Sequence, residues 1–281
     1  MKMIFNTLSN IKIINTKETL NTYNIDRCKI CNGKFGILKR AYNTKLKKYF
    51  AIKIIKKTYN IEDDDKIINE INIMKNIDHP NIIHFQNNFE DKLNYYIVME
   101  LFPGKDLLEV LLEEEKNTFE EKKTLQIMKI IINAVAYLHY KKIVHRDIKL
   151  ENIMYKEINN NMIIKLIDFG LSKQIDDDNE KMEDFVGTGC YIPPEIVNRK
   201  MYNKSIDIYS SGIVFYLILH GSLPFIGKDN NETYYNICYT DLKFHKNINE
   251  NIKELIIDMT NKQYFLRPTL LQIIDRIENL L

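Results

Sequence analysis

Cysteine is scarce in this 281-residue chain: Cys28, Cys31, Cys190 and Cys238 are the whole complement. Four thiols cannot staple a disulfide-dense secreted scaffold, so a reducing setting, the cytoplasm or alternatively the nucleus, is the expectation. Cys28 and Cys31 form a lone CxxC, and the other two do not supply the second close pair that a zinc site needs. Net charge is nearly absent as well, +2 from 40 basic and 38 acidic residues. The bulk electrostatics therefore give no case for a nucleic-acid partner. No apolar run is long enough to span a bilayer; the longest, Ile213 to Leu219, reads as a buried helix. The first residues, Met1-Lys2-Met3-Ile4-Phe5-Asn6, lack the apolar core of a signal peptide, and Lys2 stands where N-myristoylation needs glycine, so no membrane anchor is expected. Internal repeats and disordered linkers are missing too. What is present is 45% hydrophobic and 28% charged residue content, the balance of a globular protein with a real core. The length suits one large domain or two lobes sharing a cleft.

The most informative stretch is Val144-His145-Arg146-Asp147-Ile148-Lys149-Leu150-Glu151-Asn152, a polar run with apolar segments on both sides. The spacing predicts a helix over Thr124 to Tyr140 before it and a strand over Met162 to Ile167 after it. A loop held between rigid elements is where reactive side chains tend to sit. Asp147 can take a proton from a hydroxyl, Lys149 can neutralise charge beside it, and Asn152 offers an amide oxygen to a hard cation. Asp168, in Ile167-Asp168-Phe169-Gly170, is a second metal-ligand candidate.

Upstream, Ile25 to Cys31, Gly36 to Tyr42, Tyr49 to Ile55, Ile82 to Phe89 and Tyr95 to Leu101 read as strands. The turn Cys31-Asn32-Gly33-Lys34-Phe35-Gly36 is glycine-rich, which lets backbone N–H groups approach phosphate. Ala51-Ile52-Lys53 sets an ammonium in an apolar strand, where it needs a partner. Glu62 to Asn76 reads as a helix carrying Ile67, Ile71 and Met74 on one stripe, and Glu70 beside that stripe is the natural partner for Lys53. Phe102-Pro103-Gly104-Lys105 interrupts the apolar run like a hinge. Beyond Asp106 helical periodicity dominates. Ser205 to His220 is apolar almost all round, and three further helices are expected near 230–239, 250–260 and 268–280. The acidic run from Asp176 to Glu180 lacks the central glycine and later glutamate of an EF-hand.

HRDxKxxN followed by DFG, with Lys53, Glu70 and the Gly33/Gly36 turn ahead of them, resembles the eukaryotic protein kinases over about Ile25 to Leu280. The resemblance implies an α+β, bilobal protein kinase fold: a small lobe with a five-stranded antiparallel sheet and one helix, and a larger, mostly α lobe. It divides the chain into an N-terminal extension (1–24), a nucleotide-binding lobe (25–101), a hinge (102–105) and a catalytic and substrate-binding lobe (106–281). ATP and Mg2+ are the implied cofactors. Asp147 is then the catalytic base, Lys149 and Asn152 its serine/threonine-type loop partners, and Asn152 and Asp168 the metal ligands. Lys53, aligned by Glu70, grips the phosphates. The nucleotide site further takes Gly33, Phe35 at the loop tip and Gly36, with Cys31 in place of the family's first glycine. Leu38 lies under the adenine with Ala51. Met99 is the gatekeeper, Glu100 and Phe102 form the hinge, and Asp106 approaches the ribose.

Gly187-Thr188 matches the segment that seats the substrate, Pro193-Pro194-Glu195 replaces Ala-Pro-Glu, Arg267 is the expected buried partner of Glu195, and Tyr209 replaces a common Trp. The implied partners are proteins bearing Ser or Thr, with Arg upstream if Asp106 and Glu151 act as in basophilic members; Glu151 also occurs irrespective of specificity. Lys181 to Thr188 and Leu171-Ser172 look like the calcium-dependent protein kinases, although this chain carries no EF-hand. Between Asp168 and Pro193 the only hydroxyl residues are Ser172, Thr188 and Tyr191, so Arg146 would need an anion other than phosphate; Glu183 or Asp184 can supply it, or both acids are simply solvated. The rival class is a pseudokinase that binds nucleotide as a scaffold, favoured only by Cys31. A small-molecule kinase is disfavoured by Gly187-Thr188.

Overall fold

The computed structural model of the protein describes residues 21–33, 36–58, 60–159 and 161–281. The chain divides into two compact units. One comprises the described residues up to Lys75 with His84–Phe102, the other Asn76–Ile83 with Pro103–Leu281.

In the first unit β-branched and aromatic residues build strands β1 (Tyr23–Gly33), β2 (Gly36–Asn43), β3 (Lys48–Lys56), β4 (Phe85–Glu90) and β5 (Asn94–Glu100). They form one antiparallel sheet in the order β1-β2-β3-β5-β4. Ala41, Phe50, Ile52 and Val98 are buried under three stacked rings, with Tyr23–Phe89 centroids 5.9 Å apart and Phe89–Tyr96 4.7 Å. Each such ring pair adds about 0.5–1.5 kcal/mol beyond area burial. The buried ring of Tyr23 explains a correction: the sheet begins two residues before the expected Ile25, inside the stretch expected to be an extension. Helix α1 (Ile61–Lys75) starts with Glu62, Asp63 and Asp64 and ends with Lys75, the charge order that complements its dipole. The strand expected from Ile82 starts only at Phe85. Ile82 instead bridges Leu166, and the Ile83 N–H donates to the Leu166 carbonyl at 3.0 Å within the second unit.

The second unit begins with β6 (Lys105–Asp106) and α2 (Leu107–Glu113), then α3 (Glu121–Tyr140) and β7 (Ile143–Val144). Strand β8 (Ile153–Ile158) pairs with β6 on one side and with β9 (Asn161–Leu166) on the other, and β10 (Lys173–Gln174) pairs with β7. Five helices complete it: α4 (Pro194–Val197), α5 (Ile206–His220), α6 (Asn230–Tyr239), α7 (Glu250–Met259) and α8 (Leu270–Leu280). Every residue of α5 from Ile206 to Leu219 is buried, as its all-round apolar sequence requires. Gly212 permits α7 to approach it: a Cβ there would stand 2.7 Å from Thr260 Cγ2 and 3.0 Å from Met259 Cβ. Gly221, at φ 74°, ends the helix with its N–H on the Leu217 carbonyl. The Tyr209 hydroxyl is buried with no hydrogen-bond partner among the described residues, the cost carried by a tyrosine at this position. Among the described residues no helix is long and apolar enough to cross a membrane.

Candidate functional site

In the first unit the register sorts the candidates onto one face. Leu38 pairs with Lys53, Arg40 with Ala51, Lys53 with Ile97 and Ala51 with Met99, so Leu38, Ala51, Lys53, Ile97 and Met99 point to the same side of the sheet. The result is an apolar floor carrying the Lys53 ammonium, with Arg40, which the same pairing places on this side, held by Asp26. Lys53 Nζ donates to Glu70 Oε1 at 2.6 Å, and both side chains are largely buried. Burial makes that pairing necessary, because either charge alone would be costly there. Gly33 pairs with Gly36 across the β1–β2 connection, and a Cβ on Gly36 would meet the Ile54 carbonyl oxygen at 2.5 Å. Phe35 lies outside the described residues, as do the side chains around it. The Glu100 carboxylate accepts from the His84 N–H at 2.7 Å. Phe102 closes the first unit's share of the chain.

In the second unit β7 feeds the loop from His145 to Lys149, which a 3-10 turn (Leu150–Asn152) joins to β8. Asp147 is buried and is the hub of the loop. Its carboxylate accepts from Lys149 Nζ (2.8 Å), Thr188 Oγ1 (2.7 Å) and Asn152 Nδ2 (2.9 Å). Lys149 Nζ also donates to Thr188 Oγ1 at 2.7 Å, which fixes the hydroxyl as acceptor from one and donor to the other. Asn152 Nδ2 donates in addition to the Asp147 carbonyl (2.8 Å), so the amide nitrogen is used inward and the oxygen is the atom left for a ligand. The Ile167 N–H donates to the Asn152 carbonyl at 2.9 Å, which brings Asp168 beside Asn152.

One amide oxygen and one neighbouring carboxylate fit Mg2+, a small, hard cation that keeps waters and takes phosphate oxygens rather than needing an all-protein cage. Among the described residues no group of three or more His, Cys, Asp or Glu could hold a metal ion without such help. Arg146 (φ 67°) and Asp168 (φ 62°) both have left-handed backbones without being glycine. Such strain persists only where the surroundings enforce it, and it clusters at functional sites.

The enforcing residue at Arg146 is Asp207, to which the sequence reading gave no role. Its carboxylate, fully buried in the first turn of α5, accepts the His145 N–H (2.9 Å), the Arg146 N–H (2.9 Å) and His139 Nε2 (2.9 Å). Burial alone would push this carboxyl up, but the His139 hydrogen bond and charge, His145 and the Arg146 N–H together hold it below the usual carboxylate range. A single acid in an otherwise apolar, wholly buried helix was the signal available. From the loop side, His145 Nε2 lies 3.1 Å from the Ile167 carbonyl and its ring meets Phe169 edge-on at 5.2 Å.

The Arg146 side chain donates to the Leu171 carbonyl (2.6 Å), the Tyr202 hydroxyl (3.3 Å) and Asp184 Oδ2 (2.7 Å). Of the two acids considered for this place, Asp184 is the one on the guanidinium. Ser172 is buried with its hydroxyl on the His145 carbonyl, and Tyr191 is buried with its hydroxyl 3.4 Å from Glu151. Burial pushes the Tyr191 phenol above its ordinary value. Asp106 caps α2, accepting the Glu109 N–H at 2.8 Å. Glu195 and Arg267 meet through two parallel bonds of 2.6 and 2.8 Å.

A protein kinase domain family model matches residues 25–276. Among curated proteins, the chain is 37% identical over 256 residues to "Calcium-dependent protein kinase 5" of Plasmodium berghei, a match covering 90% of this chain and 45% of that protein. It is 36% identical over 263 residues to the protein of the same name from Plasmodium falciparum, covering 92% and 45%. To "Calcium-dependent protein kinase 3" of Plasmodium berghei it is 34% identical over 238 residues, covering 83% and 42%. The chain thus spans under half the length of these relatives.

Proposed function

The chain belongs to the protein kinase domain family, and from that premise we propose that it transfers the γ-phosphoryl of Mg-ATP to Ser and Thr hydroxyls of proteins. The observation that carries the reading is the Asp147 hub. Its carboxylate is held ready beside an ammonium, and one of its acceptor positions is taken by a threonine hydroxyl, Thr188 Oγ1 at 2.7 Å. A substrate hydroxyl in a comparable position would be oriented by Asp147 and would lose its proton to it late in transfer. Lys149 would offset charge on the moving phosphoryl group. Lys53, aligned by Glu70, would hold the nucleotide phosphates above the apolar floor of Leu38, Ala51 and Met99. Asn152 and Asp168 would hold Mg2+, which neutralises phosphate charge when bound. Such catalysis rests on positioning and preorganised charge more than on covalent help. The serine/threonine preference rests on Lys149 and on the names of the relatives, and the preference for an upstream Arg on Asp106 and Glu151.

Incubation with Mg-ATP and a peptide set varying the acceptor (Ser, Thr, Tyr) and the upstream residue tests this directly. Phosphorylated Ser or Thr with upstream Arg is the expected product. Nucleotide binding with no transfer to any peptide would instead select the scaffold reading that Cys31, in place of a loop glycine, favours.

The Arg146–Asp184 pair supports the further reading that a permanent carboxylate stands in for phosphate in this segment. Asp184 is exposed on one side, so its pair with Arg146 contributes at most about 1 kcal/mol. Asp184→Asn is expected to lower kcat about two- to fivefold, while phosphatase treatment of the original chain leaves its rate unchanged. A large loss on phosphatase treatment would show that phosphate, not Asp184, organises this segment.

A further inference from the structure

The near-zero net charge conceals a strong asymmetry. From Tyr23 to Lys57 the sequence holds eleven Lys and Arg against the single acid Asp26, a local charge of +10 that leaves −8 for the rest of the +2 chain. These residues are β1, β2 and β3 with their connections. Lys53, Lys57 and Arg40 are neutralised by Glu70, Glu90 and Asp26. Lys45, Lys47 and Lys48 have no carboxylate partner among the described residues, and all three are exposed. Lys29 lies directly across the ladder from Lys39. Like charges opposite one another destabilise a sheet, so this repulsion would be relieved by an anion from outside.

The β2–β3 turn concentrates the effect. Asn43 Oδ1 accepts the Lys45 (3.0 Å) and Leu46 (2.8 Å) N–H groups, and Thr44 N is tied to the Thr22 carbonyl at 2.9 Å. Lys47 completes the turn at φ 51°. This fixed tip presents Leu46, 56% exposed, among the three lysines, with Tyr49, 46% exposed, behind them. Among the described residues the leucine is left more than half exposed. A projecting aliphatic side chain ringed by lysines, backed by an amphipathic tyrosine, is the chemistry of a lipid headgroup boundary.

We propose that the Lys45–Tyr49 tip docks this unit onto an anionic lipid surface, with Leu46 entering the headgroup region and Lys45, Lys47 and Lys48 meeting the lipid charges. The main competing polyanion, a nucleic acid, would use an open aromatic face for base stacking. The Tyr49 ring is occupied by Tyr42 (centroids 5.0 Å apart) and by the Arg40 guanidinium 4.8 Å away.

The test is co-flotation of the 281-residue chain with phosphatidylcholine vesicles, with and without about 30% phosphatidylserine, and a parallel titration with single-stranded RNA. Binding is expected only to the anionic vesicles and is expected to weaken as salt is raised. The triple variant Lys45→Gln, Lys47→Gln, Lys48→Gln should lower it about a hundredfold, at roughly a factor of five per lysine near such a surface. Leu46→Ser, which leaves the charge unchanged, should lower it severalfold. All four side chains are exposed, so the variants are expected to keep the parent thermal transition. No binding to anionic vesicles at low salt would overturn the proposal. So would tighter binding to RNA with Leu46→Ser without effect on either ligand.

Discussion

Asp147→Asn is expected to cut phosphoryl transfer by at least about a hundredfold, the scale for losing one positioned acid–base group. The substitution is nearly isosteric, but Lys149 Nζ and Thr188 Oγ1 donate to different oxygens, Oδ2 and Oδ1, so the single amide oxygen can keep only one of these two bonds in place. What disappears is the proton acceptor and the negative charge that holds Lys149 at 2.8 Å and Asn152 Nδ2 at 2.9 Å. The loop itself should survive, because Asp207 pins the His145 and Arg146 N–H groups independently of Asp147. The expected signature is therefore a fall in kcat with little change in the KM for ATP and with an unchanged thermal transition. A variant with near-normal kcat would remove Asp147 from the chemistry. A variant that failed to fold would show that Asp207 does not hold the loop alone.

Arg267→Met is expected to be the most destabilising single change away from the reacting groups. Its guanidinium is fully buried and makes paired bonds of 2.6 and 2.8 Å to Glu195, a further bond of 2.9 Å to the Asn261 carbonyl, and a contact 4.9 Å above the Tyr209 ring. Removing it strands the Glu195 carboxylate in the interior, for which about 3–5 kcal/mol is the usual cost. In a chain of this size that lowers the melting temperature by about 10 °C. Denaturant unfolding with both probes of structure and activity would measure it. The double variant Glu195→Leu with Arg267→Met should regain part of the loss, since no lone charge then remains. A shift below about 1 kcal/mol for the single variant would mean that water reaches Glu195, contrary to its burial.

Local chemistry explains which features were legible in the sequence. HRDxKxxN and DFG are short, and their neighbours in space are mostly neighbours in sequence. Asn152 reaches Asp147 across five positions, and Lys149 across two. The α1 stripe and the apolar α5 follow from helical period, and the sheet from strand alternation and turn residues. The element edges moved by one to three residues because caps and tertiary contacts set them. Tyr23 joins the sheet because its ring has a buried place to go. Ile82 leaves its strand because Leu166 offers it a bridge.

The sequence by itself determined the family, the five-strand sheet with its helix and the longer helices, and it offered the candidate side chains Lys53, Glu70, Asp147, Lys149, Asn152 and Asp168, since each is written in patterns a few residues long. Only the tertiary structure decided that Asp184 rather than Glu183 meets Arg146, that Asp207 holds the His145–Lys149 loop in its left-handed turn, and that Leu46 stands exposed among three lysines. Those outcomes depend on burial and on partners 38 and 61 residues away along the chain, and no local pattern encodes which of several equivalent charges a fold will bring within hydrogen-bonding distance.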